Sequence, residues 1–171
     1  IRSDIPYRKS DSCRFGAVES ISLEVMLNKT LWYIIAMYRP PLVSNDTFMQ
    51  EATSLVDNAY KHTDNVLVIG DLNYDVLDSK SSIIKTFCEN LELSNLIKSL
   101  TYFKGEHGTL LDVVLTNRPT LFQHSGSFDC GLSDFHHIIY TSTRATVPGR
   151  KPKVLTYRSF KHFNEALFSE R

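Results

Sequence analysis

Short apolar runs closed by turn-forming residues recur along this chain and alternate with two stretches of helical periodicity. Strands are expected near 20–27 and 31–38, followed by a helix for which Ser44-Asn45-Asp46 offers N-cap chemistry. That helix turns Phe48, Ala52, Leu55, Val56, Ala59 and Tyr60 to one face, and Lys61 and His62 suit the negative end of its dipole. A strand at 66–70 comes next, then a helix near 79–92 with Ile83, Ile84, Phe87, Cys88 and Leu91 inward. Strands near 110–116, 121–128 and 136–143 complete the pattern. The first strand reads as half-buried, with Ile21, Leu23, Val25 and Leu27 inward and Ser22, Glu24 and Met26 toward solvent. Hairpin-like strand pairs mixed with crossover helices indicate an α/β fold.

Composition narrows this to an ordinary globular domain, since 171 residues at 42% hydrophobic and 22% charged can bury one sizeable core. No apolar run approaches the roughly 18 residues of a membrane-spanning helix, so no membrane partner is expected. Cys13, Cys88 and Cys130 are odd in number and lack metal-ligand spacing, which points to free thiols in a reducing compartment. Net charge is zero but unevenly spread: seven basic and two acidic residues from Arg144 onward give +5, which leaves −5 for residues 1–143. Pro, Gly and basic residues at 147–153 mark a boundary. The expected organisation is one domain over 1–145, then a basic linker and the start of a following segment over 146–171, whose aromatic stripe reads as packing for a neighbour.

Candidate chemistry gathers at strand ends. Val66-Leu67-Val68-Ile69 runs into Gly70-Asp71-Leu72-Asn73, which delivers a carboxylate and a carboxamide two residues apart, although Gly-Asp after a strand is also common turn chemistry. Asp112 interrupts the apolar run Leu110–Leu115 and needs a partner there. Ser133-Asp134-Phe135-His136-His137 opens another apolar strand, and Tyr38-Arg39 stands just before Pro40-Pro41, which stop a further one.

Taken in chain order from Tyr38-Arg39-Pro40-Pro41, these four motifs, with Leu111-Asp112-Val113-Val114-Leu115-Thr116-Asn117 among them, resemble the endonuclease/exonuclease/phosphatase superfamily. More narrowly they resemble the apurinic-type endonuclease domain of non-LTR retrotransposons, over about residues 15–143. The resemblance implies two packed mixed β-sheets flanked by helices, a four-layer DNase I-like sandwich with its first strands outside this sequence. The implied activity is Mg²⁺-dependent phosphodiester hydrolysis, with Mn²⁺ as an alternative, on the phosphate backbone of DNA in the nucleus. A downstream reverse transcriptase domain is the implied partner. Phosphatase or ribonuclease activity of the same superfamily, or a non-catalytic interaction module, are the alternative functions.

Roles follow from what phosphodiester hydrolysis needs. Asp134 is the expected metal ligand. Asp71 orients or deprotonates the attacking water, Asn73 donates to the developing charge and Tyr38 hydrogen-bonds a phosphate oxygen. His136 faces the phosphate, with Asp112 fixing its tautomer. Phe135 departs from the usual Ser-Asp-His wording, so His137 is the alternative, and His136 is preferred because it shares strand parity with Asp134. The resemblance also implies an Asn and a metal-binding Glu upstream of the Tyr motif. Neither Glu19 nor Glu24 is that Glu, because neither sits at a strand end beside turn chemistry. The chain is therefore expected to be incomplete at its N-terminus, to leave an unpaired sheet edge near 18–38, and to nick DNA poorly as 171 residues. His62, His107, His124 and His162 read as surface or loop residues.

Overall fold

Two periodic helices cover one face of a mixed sheet in the computed structural model, which describes residues 1, 5–10, 16–27, 29–78, 82–105 and 107–143. The expected linker and following segment, Cys13 and His162 lie outside the described residues. In chain order the strands are β1 (Tyr7–Lys9), β2 (Glu19–Leu27) and β3 (Thr30–Tyr38), then helix α1 (Asn45–Tyr60) and β4 (Val66–Asp71). Helix α2 (Ser82–Asn90) is followed by β5 (Ser94–Asn95), β6 (Tyr102–Lys104), β7 (His107–Thr109), β8 (Asp112–Thr116), β9 (Phe122–Phe128) and β10 (Ile138–Thr143). Six strands form one sheet in the order β1-β2-β3-β4-β8-β5, with β3 and β4 parallel and the other pairs antiparallel. The pairs β6–β7 and β9–β10 are separate two-stranded ribbons.

The chain starts α1 where the sequence offers a cap: Ser44 Oγ accepts the Thr47 amide at 3.1 Å, and the helix buries Phe48, Ala52, Leu55, Val56 and Ala59. These pack with Phe87 and Ile84 of α2 on Tyr33, Ile35, Met37, Val66, Val68, Val113 and Leu115 of the sheet. Each fully buried side chain of this kind contributes about 1.5–3 kcal/mol. The parallel β3–β4 pair needs a crossover, and α1 provides it. Across the other face, Phe122 at the start of β9 meets Trp32 of β3 edge-on at 5.7 Å, and Ile139 of β10 packs against the core.

Two expectations about β2 are corrected. Its register sets Ser22 opposite Ile35 and Glu24 opposite Tyr33, so these polar residues face the helices. Ser22 and Glu24 are buried, whereas Ile21 is 52% exposed. Alternation gives parity; which face is better covered depends on packing. Burial of Glu24 is tolerated because Arg8 reaches it at 2.7 Å and His62 at 3.1 Å, so His62 has the acidic neighbour the sequence did not show. Nor is β2 an open edge. Tyr7-Arg8-Lys9 pairs with Leu23–Val25, and the Ser10 and Met26 amides extend the contact. A short, charged strand of this kind blunts an edge. His107 and His124 are exposed as expected but stand on β7 and β9.

At Gly70 the β3 and β4 backbones come too close for a side chain. Its φ is +155°, and a Cβ there would lie 1.7 Å from the Met37 carbonyl oxygen. Gly105 also has positive φ, +63°, but faces open space. Urea unfolding should therefore separate them: Gly105→Ala should cost about 1–2 kcal/mol for backbone conformation alone. Gly70→Ala should cost more than about 3 kcal/mol or leave no folded protein, because the strands must also move apart. Equal costs would show that β3 and β4 are not held at this distance.

Candidate active site

The end of the sheet at the C-termini of β3 and β4 carries a row of polar side chains. Tyr38 is registered against Asp71, and Asp71 against Asp112, so the three lie side by side on the face opposite α1 and α2. Glu19, paired with Tyr38, extends the row but is exposed; contrary to expectation it does stand at a strand end, as the first residue of β2 after the bend 16–18. Tyr38 is 40% exposed at the rim, whereas Asp71 and Asp112 are half-buried.

Asn73 is fixed twice. Its amide donates to Asp71 Oδ1 at 2.8 Å, and its Nδ2 donates to the Arg39 carbonyl oxygen at 2.8 Å. It adopts the left-handed conformation, φ 48°, which Asn tolerates better than most residues. One Nδ2 proton and the carboxamide oxygen stay available for a ligand.

Asp112 is a half-buried carboxyl with a shifted pKa. Burial raises its pKa above the ordinary carboxylate value, and the charge of Asp71 adds to that. A hydrogen bond from the Thr101 side chain and the charge of His136 pull the other way. No hydrogen bond joins Asp112 to His136 or His137, contrary to the expected pairing. His136 sits in an isolated bridge with Tyr102 and packs its ring on that of Tyr102 at 4.9 Å, and it is exposed. His137 packs on Phe103 at 4.3 Å. The parity argument for His136 finds no strand to rest on, since β10 begins only at Ile138 and Ser133 Oγ accepts the Phe135 and His136 amides in a turn. Of the two histidines, His136 is the one whose charge acts on the Asp112 carboxyl. Asp134 lies exposed in the same bend.

Thr101 is the residue that sequence reasoning missed. It is fully buried, and its hydroxyl oxygen accepts the Leu111 and Asp112 amides, both at 3.1 Å. Its carbonyl accepts the His137 amide at 2.9 Å, so one threonine sets the start of β8 and the histidine pair relative to each other. A hydroxyl in the aperiodic stretch 99–103 carries no local signal.

The donor set suits a hard cation. Asp112 Oδ2 is buried with no hydrogen-bond partner and stands across from a second carboxylate, an arrangement that a divalent ion would relieve. Among the described residues no group of three His, Cys, Asp or Glu side chains is placed to hold a metal ion. Mg²⁺ does not require one, since it binds through one or two carboxylates together with water and substrate phosphate. Among the described residues Cys88 and Cys130 are free, and burial pushes the Cys88 pKa up to about 11, so it is a poor nucleophile. No described helix is long and apolar enough to cross a membrane.

No protein-family model and no curated protein matches this chain. Solved structures do. The endonuclease domain of TRAS1, a telomere-specific non-LTR retrotransposon, superposes with TM-score 0.69 at 12% identity over 82% of this chain and 68% of that one. D. rerio TDP2, solved with a single-strand DNA product, gives 0.58 at 11% identity over 81% and 68%. The inositol polyphosphate 5-phosphatase domain of SPsynaptojanin, solved with inositol (1,4)-bisphosphate and calcium, gives 0.54 at 14% identity over 81% of this chain but only 54% of that one. At such identities the likeness is one of fold, and on that ground this mixed α/β chain has the DNase I-like fold shared by endonuclease/exonuclease/phosphatase proteins.

Proposed function

We propose that the chain is the catalytic part of a metal-dependent phosphodiester hydrolase that nicks DNA, of the kind that accompanies a reverse transcriptase in retrotransposons. The observation that carries this reading is the row Tyr38–Asp71–Asp112, joined by Asn73 and His136, on a fold shared with a retrotransposon endonuclease domain. Asp71 accepts a proton from the attacking water and holds it in line with the phosphorus. The free Asn73 Nδ2 proton and the exposed Tyr38 phenol donate to non-bridging oxygens, where negative charge builds. His136, held by its bridge to Tyr102, brings a third donor. Asp134 remains the expected ligand for Mg²⁺ and the orphaned Oδ2 of Asp112 is a second candidate; the ion would supply charge neutralisation on the phosphate. DNA as the substrate is supported by the two neighbours that are an endonuclease domain and a DNA-product complex.

Plasmid relaxation tests this, with residues 1–171 and with the longest natural protein that contains them. Nicking by the longer protein is expected in Mg²⁺ and should stop with chelator. Asp71→Ala or His136→Ala should lower the rate by about 10²–10⁴-fold. If DNA stays intact while inositol phosphates or another small phosphoester are cleaved, the phosphatase reading replaces this one, and the synaptojanin likeness already gives it a structural basis.

Asp112 gives a second, independent test. A carboxyl whose folded pKa is raised contributes stability that is complete below its unfolded pKa and lost as pH climbs through the folded value. Wild type therefore loses stability toward neutral pH through this residue. Asp112→Asn should melt at a higher temperature than wild type at pH 7, with the difference vanishing near the unfolded pKa of about 4. A lower melting temperature at pH 7 would mean that the Asp112 charge is compensated in the folded protein.

A further inference from the structure

Arg39 is only 5% exposed, and among the described residues no carboxylate pairs with it. A desolvated cation without a counter-ion is costly, so its surroundings must repay that cost. They do so in part: in the turn Asp71–Tyr74 the Leu72 carbonyl and the Tyr74 ring meet the guanidinium, the other two residues meet the Arg39 backbone, and Nε is left without a partner. The Arg39 amide donates to the Asp71 carbonyl at 3.0 Å, and its Nη1 donates to the Leu72 carbonyl at 3.4 Å. Its own carbonyl accepts Asn73 Nδ2, and its guanidinium lies 4.3 Å over the Tyr74 ring. Nη2 reaches the Val43 carbonyl, and the Phe48 ring stands 5.9 Å away. Carbonyl oxygens and ring faces thus carry the partial negative charge that a carboxylate would otherwise supply.

We infer that Arg39 is the positioning residue of the candidate site: it locks the turn Asp71-Leu72-Asn73-Tyr74 so that the Asp71 carboxylate and the Asn73 carboxamide present fixed atoms to a phosphate. This rests on the proposed hydrolase reading for its catalytic consequence. Its structural content stands apart from that reading. Lysine cannot replace Arg39, because a single ammonium cannot stack on Tyr74 while donating to two diverging carbonyls. A carboxylate partner is absent for a reason as well: a further negative charge here would add to the Asp71–Asp112 pair.

The test compares Arg39→Lys and Tyr74→Leu with wild type, in whichever form of the protein nicks plasmid. Arg39→Lys should lower kcat about 10–100-fold with KM for DNA unchanged, because the phosphate is still bound but misaligned. Tyr74→Leu, which removes the ring face and leaves the arginine, should show the same split more weakly. Activity is referred to folded protein, so mere destabilisation lowers melting temperature and leaves kcat alone. That outcome overturns the proposal. Amide hydrogen exchange provides a readout free of catalysis. In Arg39→Lys the Arg39 position, Leu72 and Asn73 amides should exchange faster, while the Leu96 amide, bonded to Val114 on the far side of the sheet, should not change. If no phosphoester is cleaved by any form, the hydrolase reading fails, and selective acceleration at the turn still upholds Arg39 as its lock. Uniform or absent acceleration rejects it.

Discussion

The register of β4 between β3 and β8 is the constraint on which the rest depends. Three side chains from three strands meet because Tyr38, Asp71 and Asp112 occupy one rung, and a slip of one residue would turn Asp71 toward Phe48 and Val56 under the helices. Gly70 holds that rung in place. Its missing side chain lets the Met37 carbonyl approach, and any Cβ would push apart the two strands that carry the tyrosine and the first aspartate.

Free energy is distributed unevenly around this rung. The helix-covered face is well packed, with Phe48, Phe87, Ile35, Val56, Val66 and Val68 at or near zero exposure. At the strand ends are collected an opposed carboxylate pair, an orphaned carboxylate oxygen, a left-handed asparagine and a buried arginine without a counter-ion. Each of these lowers stability, and together they hold donors and acceptors at fixed positions on rigid elements. Glu24 provides the contrast. It is as deeply buried, but the Arg8 guanidinium and the His62 imidazole meet it and nothing is left unsatisfied for a ligand, which marks it as part of the scaffold.

Much of the site was legible because strand-end chemistry is local. An apolar run that stops at Gly-Asp-x-Asn places its polar groups at the strand's end whatever the fold, and Val66–Asp71 does so here. The cap of α1 and its inner face were legible for the same reason. Short elements were not. β1, β5, β6 and β7 have two or three residues each, too few to show a period, and they exist because a neighbouring strand pairs with them. The expected Asp112–His136 hydrogen bond failed on the same ground, since β6 offers His136 a ring and a bridge that no local pattern announces.

The sequence by itself determined the principal strands and helices, and which polar residues stand at their ends, because both follow from periodicity and turn chemistry within a few neighbours. Tertiary structure decided which face of β2 is covered, which carboxylates oppose each other, that Thr101 supports Asp112, and that Arg39 spans the turn from Asp71 to Tyr74. Those facts join residues far apart along the chain, 33 positions from Arg39 to Leu72 and 11 from Thr101 to Asp112, and only packing sets what meets across such distances.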